Sequence, residues 1–119
     1  MPSMPNPFQQ LLPGGKLTKY DLIQAIRQDI VGELEAIYLY DAHANASDDP
    51  VVKTVLADIR NEEREHVGEL LTLLKYLDPA EVELLAEGEG EVKEMMANLG
   101  IAAGNDSVGD NGATIGSLK

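Results

Sequence analysis

Cysteine and tryptophan are missing from this chain of 119 residues, and it contains a single phenylalanine. Without cysteine there can be no disulfide scaffold, no zinc–thiolate site and no thiol nucleophile. The shortage of aromatic side chains argues against a surface on which nucleic-acid bases stack. Lysine and arginine are scarce too, 9 against 21 aspartates and glutamates, for a net charge of −12. We therefore expect no nucleic-acid partner, because the phosphate backbone attracts basic proteins.

Long apolar runs are absent as well. No segment approaches the roughly 18 consecutive apolar residues that span a bilayer, and the first residues lack the basic and apolar regions of a secretory signal. These features predict a cytoplasmic protein with no membrane partner. A length of 119 residues allows one small domain at most.

Proline, glycine and turn residues predict the organisation of the chain. Thr18 begins a long helix of about 28 residues, the turn at 45–49 ends it, and Asp49-Pro50 begins a second helix that runs to Leu77. A third, shorter helix follows, and we expect the Glu-Gly run at 87–91 to interrupt it. The prediction is an all-α fold, a two-helix antiparallel hairpin plus a short C-terminal helix. The predicted segments are a flexible lead-in (1–17), a helical domain (18–99), a flexible linker (100–113) and a short apolar motif (114–119).

Both long helices carry a row of apolar residues at spacings of three and four, typical of helices that pack against others. Each row also contains ionisable side chains. The first row is Ile23, Ile26, Ile30, Glu33, Ile37 and Tyr40, and the second is Val52, Leu56, Ile59, Glu63, His66, Leu70, Leu73 and Leu77.

Three of these ionisable residues lie at one height in the predicted hairpin. Glu33 is about 14 residues before the middle of the turn, and Glu63 and His66 are a comparable distance after it, at about 1.5 Å rise per residue. Burying a carboxylate among isoleucines costs several kcal/mol unless the charge is paired or coordinated. A divalent metal ion accounts for all three side chains together.

The spacing Glu63-x-x-His66 is the one that di-metal carboxylate bundles use, in which two helices each give a Glu and two give Glu-x-x-His. This chain holds half of that set, so counting ligands predicts a homodimer that forms a four-helix bundle. Carboxylates with one imidazole per metal suit iron or manganese better than structural zinc, and we favour iron. Two Fe(II) ions can each give one electron to O2, which is ferroxidase chemistry.

Simpler interpretations stay open for single residues. A Glu at the edge of an apolar row often holds its carboxylate in water, and Glu-x-x-His arises by chance in acidic helices. We expect His43 to be an exposed residue near the helix end, and Glu35, Glu62 and Glu65 to face solvent. Tyr40 is interpreted as a core residue whose hydroxyl bonds a carboxylate, next to the metal ligands.

Several segments resemble one known family. Glu33-Leu34-Glu35-Ala36-Ile37, Tyr40-Asp41, Ala46-Ser47-Asp48-Asp49-Pro50 and Asn61-Glu62-Glu63-Arg64-Glu65-His66 are similar to the encapsulated ferritins of the ferritin-like superfamily. The resemblance, over roughly residues 18–80, implies a dimer that rebuilds the ferritin bundle, with a di-iron ferroxidase centre of two irons at its interface. It also implies a decameric ring of dimers. The family's metal ligands fall on Glu33, Glu63 and His66.

The resemblance has two further implications. An acidic residue two positions after the first-helix ligand belongs to a site where metal enters the centre, and this residue corresponds to Glu35. Thr114-Ile115-Gly116-Ser117-Leu118 looks like the targeting peptide by which cargo proteins dock inside encapsulin shells, following a flexible linker. The implied function is iron oxidation that feeds storage in an encapsulin nanocompartment, with the shell protein as a partner.

Two alternative functions remain at this stage. One is a rubrerythrin-like di-metal peroxidase or catalase, although rubrerythrins commonly carry a Cys-rich iron domain that this chain lacks. The other is a non-enzymatic helical adaptor that brings a partner to a shell, with Glu33 and Glu63 in hydrogen bonds between chains.

Overall fold

The computed structural model describes residues 14–102. They form three helices, α1 (Lys19–Ala46), α2 (Pro50–Leu77) and α3 (Pro79–Asn98), which confirms the all-α fold. Of the predicted lead-in, only Gly14 onward is described. The predicted linker beyond residue 102 and the predicted targeting peptide at 114–119 lie outside the described residues.

The two long helices begin where their capping residues predict. The Thr18 hydroxyl accepts a hydrogen bond from the backbone N–H of Asp21 at 3.1 Å. Asp49 caps α2, its carboxylate accepting from the N–H groups of Val51 and Val52 at 2.8 and 3.2 Å. Pro50 fills the first helical position, where a missing N–H costs nothing. The bounds predicted for α1 and α2 are confirmed.

Helices α1 and α2 pack as an antiparallel hairpin. Residues later in α2 contact residues earlier in α1, as expected for antiparallel helices. Near the turn, Lys53 Nζ donates to the Ala44 carbonyl, and Arg60 pairs with Asp41 at 2.7 Å. Farther from the turn, His66 contacts Glu33, and Arg27 pairs with Asp78. A turn of three residues, 47–49, joins the two helices and fixes this alignment. The antiparallel hairpin predicted from the sequence is therefore confirmed.

The row of α2 that faces α1 differs from the predicted one. Leu74 is the most buried side chain of α2, at 2 % exposure, whereas Leu73 and Val52 are 41 % and 40 % exposed. Two apolar rows run side by side on α2, and a single partner helix covers only one of them. The second row, Val52, Ile59, His66 and Leu73, repeats every seven residues and lies at the edge of the hairpin.

The prediction that the Glu-Gly run interrupts the third helix is wrong. Helix α3 continues through Gly88 and Gly90 as far as Asn98. A glycine inside a helix costs about 1 kcal/mol relative to alanine, which good helix formers on either side can offset. Glu89 and Lys93, one turn apart, form an ion pair at 2.8 Å that further stabilises this part of α3.

A glycine does end this helix. Gly100 has a φ of +81°, in the left-handed region that a residue without a Cβ adopts most readily. Its N–H bonds the Ala97 carbonyl at 2.9 Å, and the N–H of Ile101 bonds the Met96 carbonyl at 2.8 Å. These two bonds form the Schellman motif and satisfy carbonyls that the helix leaves free.

Burial within the single chain is sparse. Among residues 14–102, Ile26, Ala44 and Leu74 are the only buried apolar side chains. The described chain divides into two compact units, one ending at Glu81 and the other beginning at Val82, and no residue of α3 is buried. In the described part of the chain, no helix is long and apolar enough to cross a membrane.

Candidate metal centre

Two helices bring three predicted ligands together near the middle of the hairpin. Glu33 lies half-buried on α1, and Glu63 and His66 lie one turn apart on α2. One ligand atom from each residue lies within 4.8 Å of the other two. The equal heights predicted from the sequence thus place these side chains in contact across the hairpin.

His66 contacts both carboxylates. Its Nδ1 is 3.3 Å from Glu33 Oε2 and 3.4 Å from Glu63 Oε1. Adjacent donors on one octahedral ion, with bonds of about 2.1 Å, stand about 3 Å apart. The distances from Nδ1 to the two carboxylates are therefore close to the separation of neighbouring ligand atoms around one cation.

Exposure differs among the three ligands. The side chains of Glu33 and Glu63 are 25 % and 18 % exposed, whereas that of His66 is 47 % exposed. His66 belongs to the edge row of α2, so the centre opens toward the side of the hairpin that the described part of the chain leaves uncovered.

The electrostatics favour uptake of positive charge. A hydrogen bond with Glu33, together with desolvation and the Glu33 charge, raises the pKa of Glu63. Desolvation lowers the pKa of His66, but the hydrogen bond to Glu33 and the charges of Glu33, Glu63 and Glu69 outweigh it, so that pKa is raised overall. A group of anions that holds protons this way also attracts a metal cation, which replaces them.

The donor set fits iron. Two carboxylates and one imidazole match the oxygen-rich, nitrogen-poor ligation of iron or manganese, and the chain has no thiolate to favour zinc. The observation that supports a metal is the convergence itself, because two carboxylates in contact repel each other unless a proton or a cation lies between them.

Other residues named in the sequence analysis lie outside this contact group. Glu35 is half-buried on α1, so the expectation that it faces solvent is wrong. Tyr40 is half-buried one heptad beyond Glu33. The Tyr40 hydroxyl has no hydrogen bond within residues 14–102, and its predicted bond to a carboxylate stays a prediction. His43, Glu62 and Glu65 are exposed, as predicted.

One charged neighbour of the centre escaped the sequence analysis. Glu69 follows His66 by three residues, and its negative charge acts on the imidazole. The signal was the spacing of one helical turn, which places the two side chains on one face.

Comparison with known proteins places these features in a family. The EncFtn-like family model matches residues 16–87, which include all three ligands. A crystal structure of the encapsulated ferritin domain from Pyrococcus furiosus is similar to this chain with a TM-score of 0.66 and 44 % identity, covering 67 % of this chain and 82 % of that one.

Curated relatives give the same result. An encapsulated ferritin-like protein of Rhodospirillum rubrum is 35 % identical, covering 76 % of this chain and 72 % of that protein. A ferritin-like–encapsulin shell fusion protein of P. furiosus is 45 % identical over 66 % of this chain. The encapsulin nanocompartment cargo protein EncC of Myxococcus xanthus is 43 % identical over 62 % of this chain. The matches span 23 % of the fusion protein and 56 % of EncC. On the family match and these identities, the chain belongs to the EncFtn-like family.

Proposed function

We propose that this protein is a ferroxidase that oxidises Fe(II) to Fe(III) with O2 at a di-iron centre shared by two chains. The observation that carries the proposal is the contact group of Glu33, Glu63 and His66 at one height in the hairpin. The iron-related names of the relatives support it, since ferritin-like proteins handle iron.

The number of ligands argues for two chains. A di-metal centre in a four-helix bundle uses four carboxylates and two imidazoles, and one chain supplies half of them. The edge row of α2, with His66, Val52 and Leu73, exposes apolar surface that a second hairpin would cover. A twofold axis at this edge would give each iron ligands from both chains.

Each ligand contributes to the oxidation in its own way. The carboxylates of Glu33 and Glu63 concentrate negative charge, which stabilises Fe(III) more than Fe(II). His66 supplies a neutral nitrogen after its proton is displaced, so that each iron has one imidazole. Two Fe(II) substrate ions held close together lose one electron each, and O2 takes both electrons.

The experiment that tests this function measures the rate of Fe(II) oxidation by stopped-flow absorbance. Glu63→Ala and His66→Ala each remove a ligand, and we expect a loss of at least about 100-fold in the rapid phase, since each ion loses a donor. Glu62→Ala is the matched control, because Glu62 is an exposed neighbour on the same helix. Wild-type rates in both ligand variants would exclude the proposed centre.

The same assay tests two alternative functions. Consumption of hydrogen peroxide faster than O2 by the iron-loaded protein would identify a rubrerythrin-like peroxidase or catalase. Purified protein that binds no metal and oxidises no iron would identify a helical cargo adaptor. We expect about one iron per chain and preferential use of O2.

We propose further that the protein acts inside an encapsulin shell, as a decameric ring of dimers that delivers oxidised iron for storage. Three relatives are named as encapsulated, as encapsulin cargo or as a fusion to the shell protein. The predicted targeting peptide, Thr114-Ile115-Gly116-Ser117-Leu118, offers two apolar side chains for docking.

Glu35 is proposed to take part in metal uptake near the centre.

Removal of residues 114–119 tests the docking proposal. On co-expression with an encapsulin shell protein, we expect the shortened chain to be lost from the purified shells while its Fe(II) oxidation in solution is unchanged. The reason is that the peptide lies far along the chain from the metal ligands. Equal loading of the shells by both chains would contradict docking through this peptide.

A further inference from the structure

The imidazole of His66 uses only one of its nitrogens. Nδ1 contacts Glu33 Oε2 and Glu63 Oε1 at 3.3 and 3.4 Å. Nε2 has no hydrogen-bond partner within residues 14–102. When Nδ1 binds a metal ion, the neutral ring carries its proton on Nε2, so this second nitrogen becomes a hydrogen-bond donor.

Glu69 is placed to accept that hydrogen bond. It follows His66 by three residues on α2, so the two side chains lie on one face, one turn apart. Side chains on a helix lean toward its N-terminus, and the long Glu69 side chain therefore reaches back over the turn that carries His66. Its carboxylate is exposed and has no hydrogen-bond donor among the described residues.

Glu62 provides the contrast. It is also an exposed glutamate of α2, but it precedes His66 by four residues. The charge of Glu62 acts on Glu63, whereas the charge of Glu69 acts on the imidazole of His66. The two glutamates thus carry the same charge on the same helix, and of the two only Glu69 acts on the imidazole.

We propose that Glu69 is a positioning residue of the metal centre: its carboxylate accepts the Nε2–H hydrogen bond of His66 and holds Nδ1 toward the metal ion. The inference rests on the proposed function, because it requires a metal at this site. Covering the edge row of α2 with a second chain would remove water from Nε2, which then needs a partner from the protein. Histidines that bind metals commonly donate their other N–H to a carboxylate.

Zn(II) is a suitable probe because it binds without oxidation. Calorimetric titration of the full chain is expected to show binding about 10-fold to 100-fold weaker in Glu69→Ala than in wild type. Glu69→Gln keeps an acceptor oxygen and should recover part of the loss. Glu62→Ala removes the same charge close to Glu63 but not the proposed hydrogen bond, and it should bind Zn(II) more tightly than Glu69→Ala does.

Nuclear magnetic resonance of the imidazoles separates a hydrogen bond from general attraction. The chain contains only two histidines, so labelling with [¹⁵N]histidine gives signals from His66 and from the exposed His43, which serves as a reference. In the Zn(II)-bound wild type we expect Nε2 of His66 to be protonated and protected from exchange with solvent. Glu69→Ala should lose this protection, and Glu62→Ala should keep it.

Three results would overturn the inference while leaving the ferroxidase proposal intact. They are wild-type affinity in Glu69→Ala, unchanged protection of His66 in that variant, and an equal loss of affinity in Glu62→Ala. If the wild-type chain binds no Zn(II) and no Fe(II), the proposed function fails and the inference fails with it. The wild-type titration therefore distinguishes the two failures.

Discussion

Two side chains of the candidate metal centre hold protons more firmly than they would in water. The hydrogen bond with Glu33 raises the pKa of Glu63, and desolvation of His66 is outweighed by its bond to Glu33 and nearby negative charge, so its pKa rises too. In both cases the folded, metal-free chain binds more protons than the unfolded one. Each group therefore stabilises the metal-free protein at low pH. The contribution is lost as the pH rises from the ordinary pKa of the group, 4.5 for Glu63 and 6.5 for His66, through its raised pKa in the folded chain.

A bound metal reverses this trend. Since a metal bound at Nδ1 must displace the proton of a charged His66, we expect its apparent affinity to fall about tenfold per pH unit as the pH is lowered below the pKa of His66. Titration with Zn(II) at pH 7.5 and 6.0, in two buffers of different ionisation enthalpy, measures the affinity and counts the protons. His66→Ala should release fewer protons. Affinity that is constant over this range, with no proton release, would contradict the assignment.

The contact of Glu33, Glu63 and His66 could be predicted from the sequence, because their positions follow from helical periodicity and from the position of the turn. Glu69 was not singled out in this way, since it is one of three exposed glutamates on α2, and its spacing of one helical turn from His66 became informative only once His66 was placed at the centre. The hydrogen bond predicted for Tyr40 is not formed within residues 14–102. Helical periodicity predicts which face of a helix a residue occupies, but it does not predict which atom its side chain bonds.

At the scale of the helices, caps determine where the hairpin turns. Asp49 accepts two backbone hydrogen bonds at the beginning of α2, whereas its neighbour Asp48 is exposed and lies outside the helix. We expect Asp49→Ala to lower the free energy of unfolding by about 1 kcal/mol. Asp48→Ala should change it by less than about 0.5 kcal/mol, as surface substitutions usually do.

Urea denaturation of the metal-free protein, followed by circular dichroism, measures both variants. Using the metal-free form keeps the contribution of ligand binding out of the comparison. Equal midpoints for Asp49→Ala and wild type would show that the cap does not stabilise the hairpin.

Helix bounds were more predictable than helix faces. Thr18, Asp49 and Pro50 mark bounds through local hydrogen bonds, so the sequence near each residue was sufficient. The buried face of α2 was predicted wrongly in part, because two adjacent apolar rows fit the same periodicity and only packing against α1 selects the one that contains Leu74. Helix α3 continued through its glycines because propensity is a small energy and the neighbouring residues offset it.

At the scale of the whole molecule, the described part of one chain buries few apolar side chains. Only Ile26, Ala44 and Leu74 are buried apolar side chains among the described residues, and the edge row of α2 leaves His66 half-exposed. Both observations have one explanation if a second hairpin covers that edge. The core and the metal centre would then be completed by the same interface, so that iron binding and dimer formation support each other.

The most direct test of this shared centre is an anomalous difference map at the iron edge, from crystals soaked in Fe(II) without oxygen. We expect two iron peaks between two hairpins, each bonded to carboxylates of Glu33 and Glu63 and to Nδ1 of His66, with ligands from both chains. Crystals of Glu63→Ala should lose the peaks under the same conditions. Strong density for these side chains with no iron between them, or iron bound within a single chain, would contradict the account.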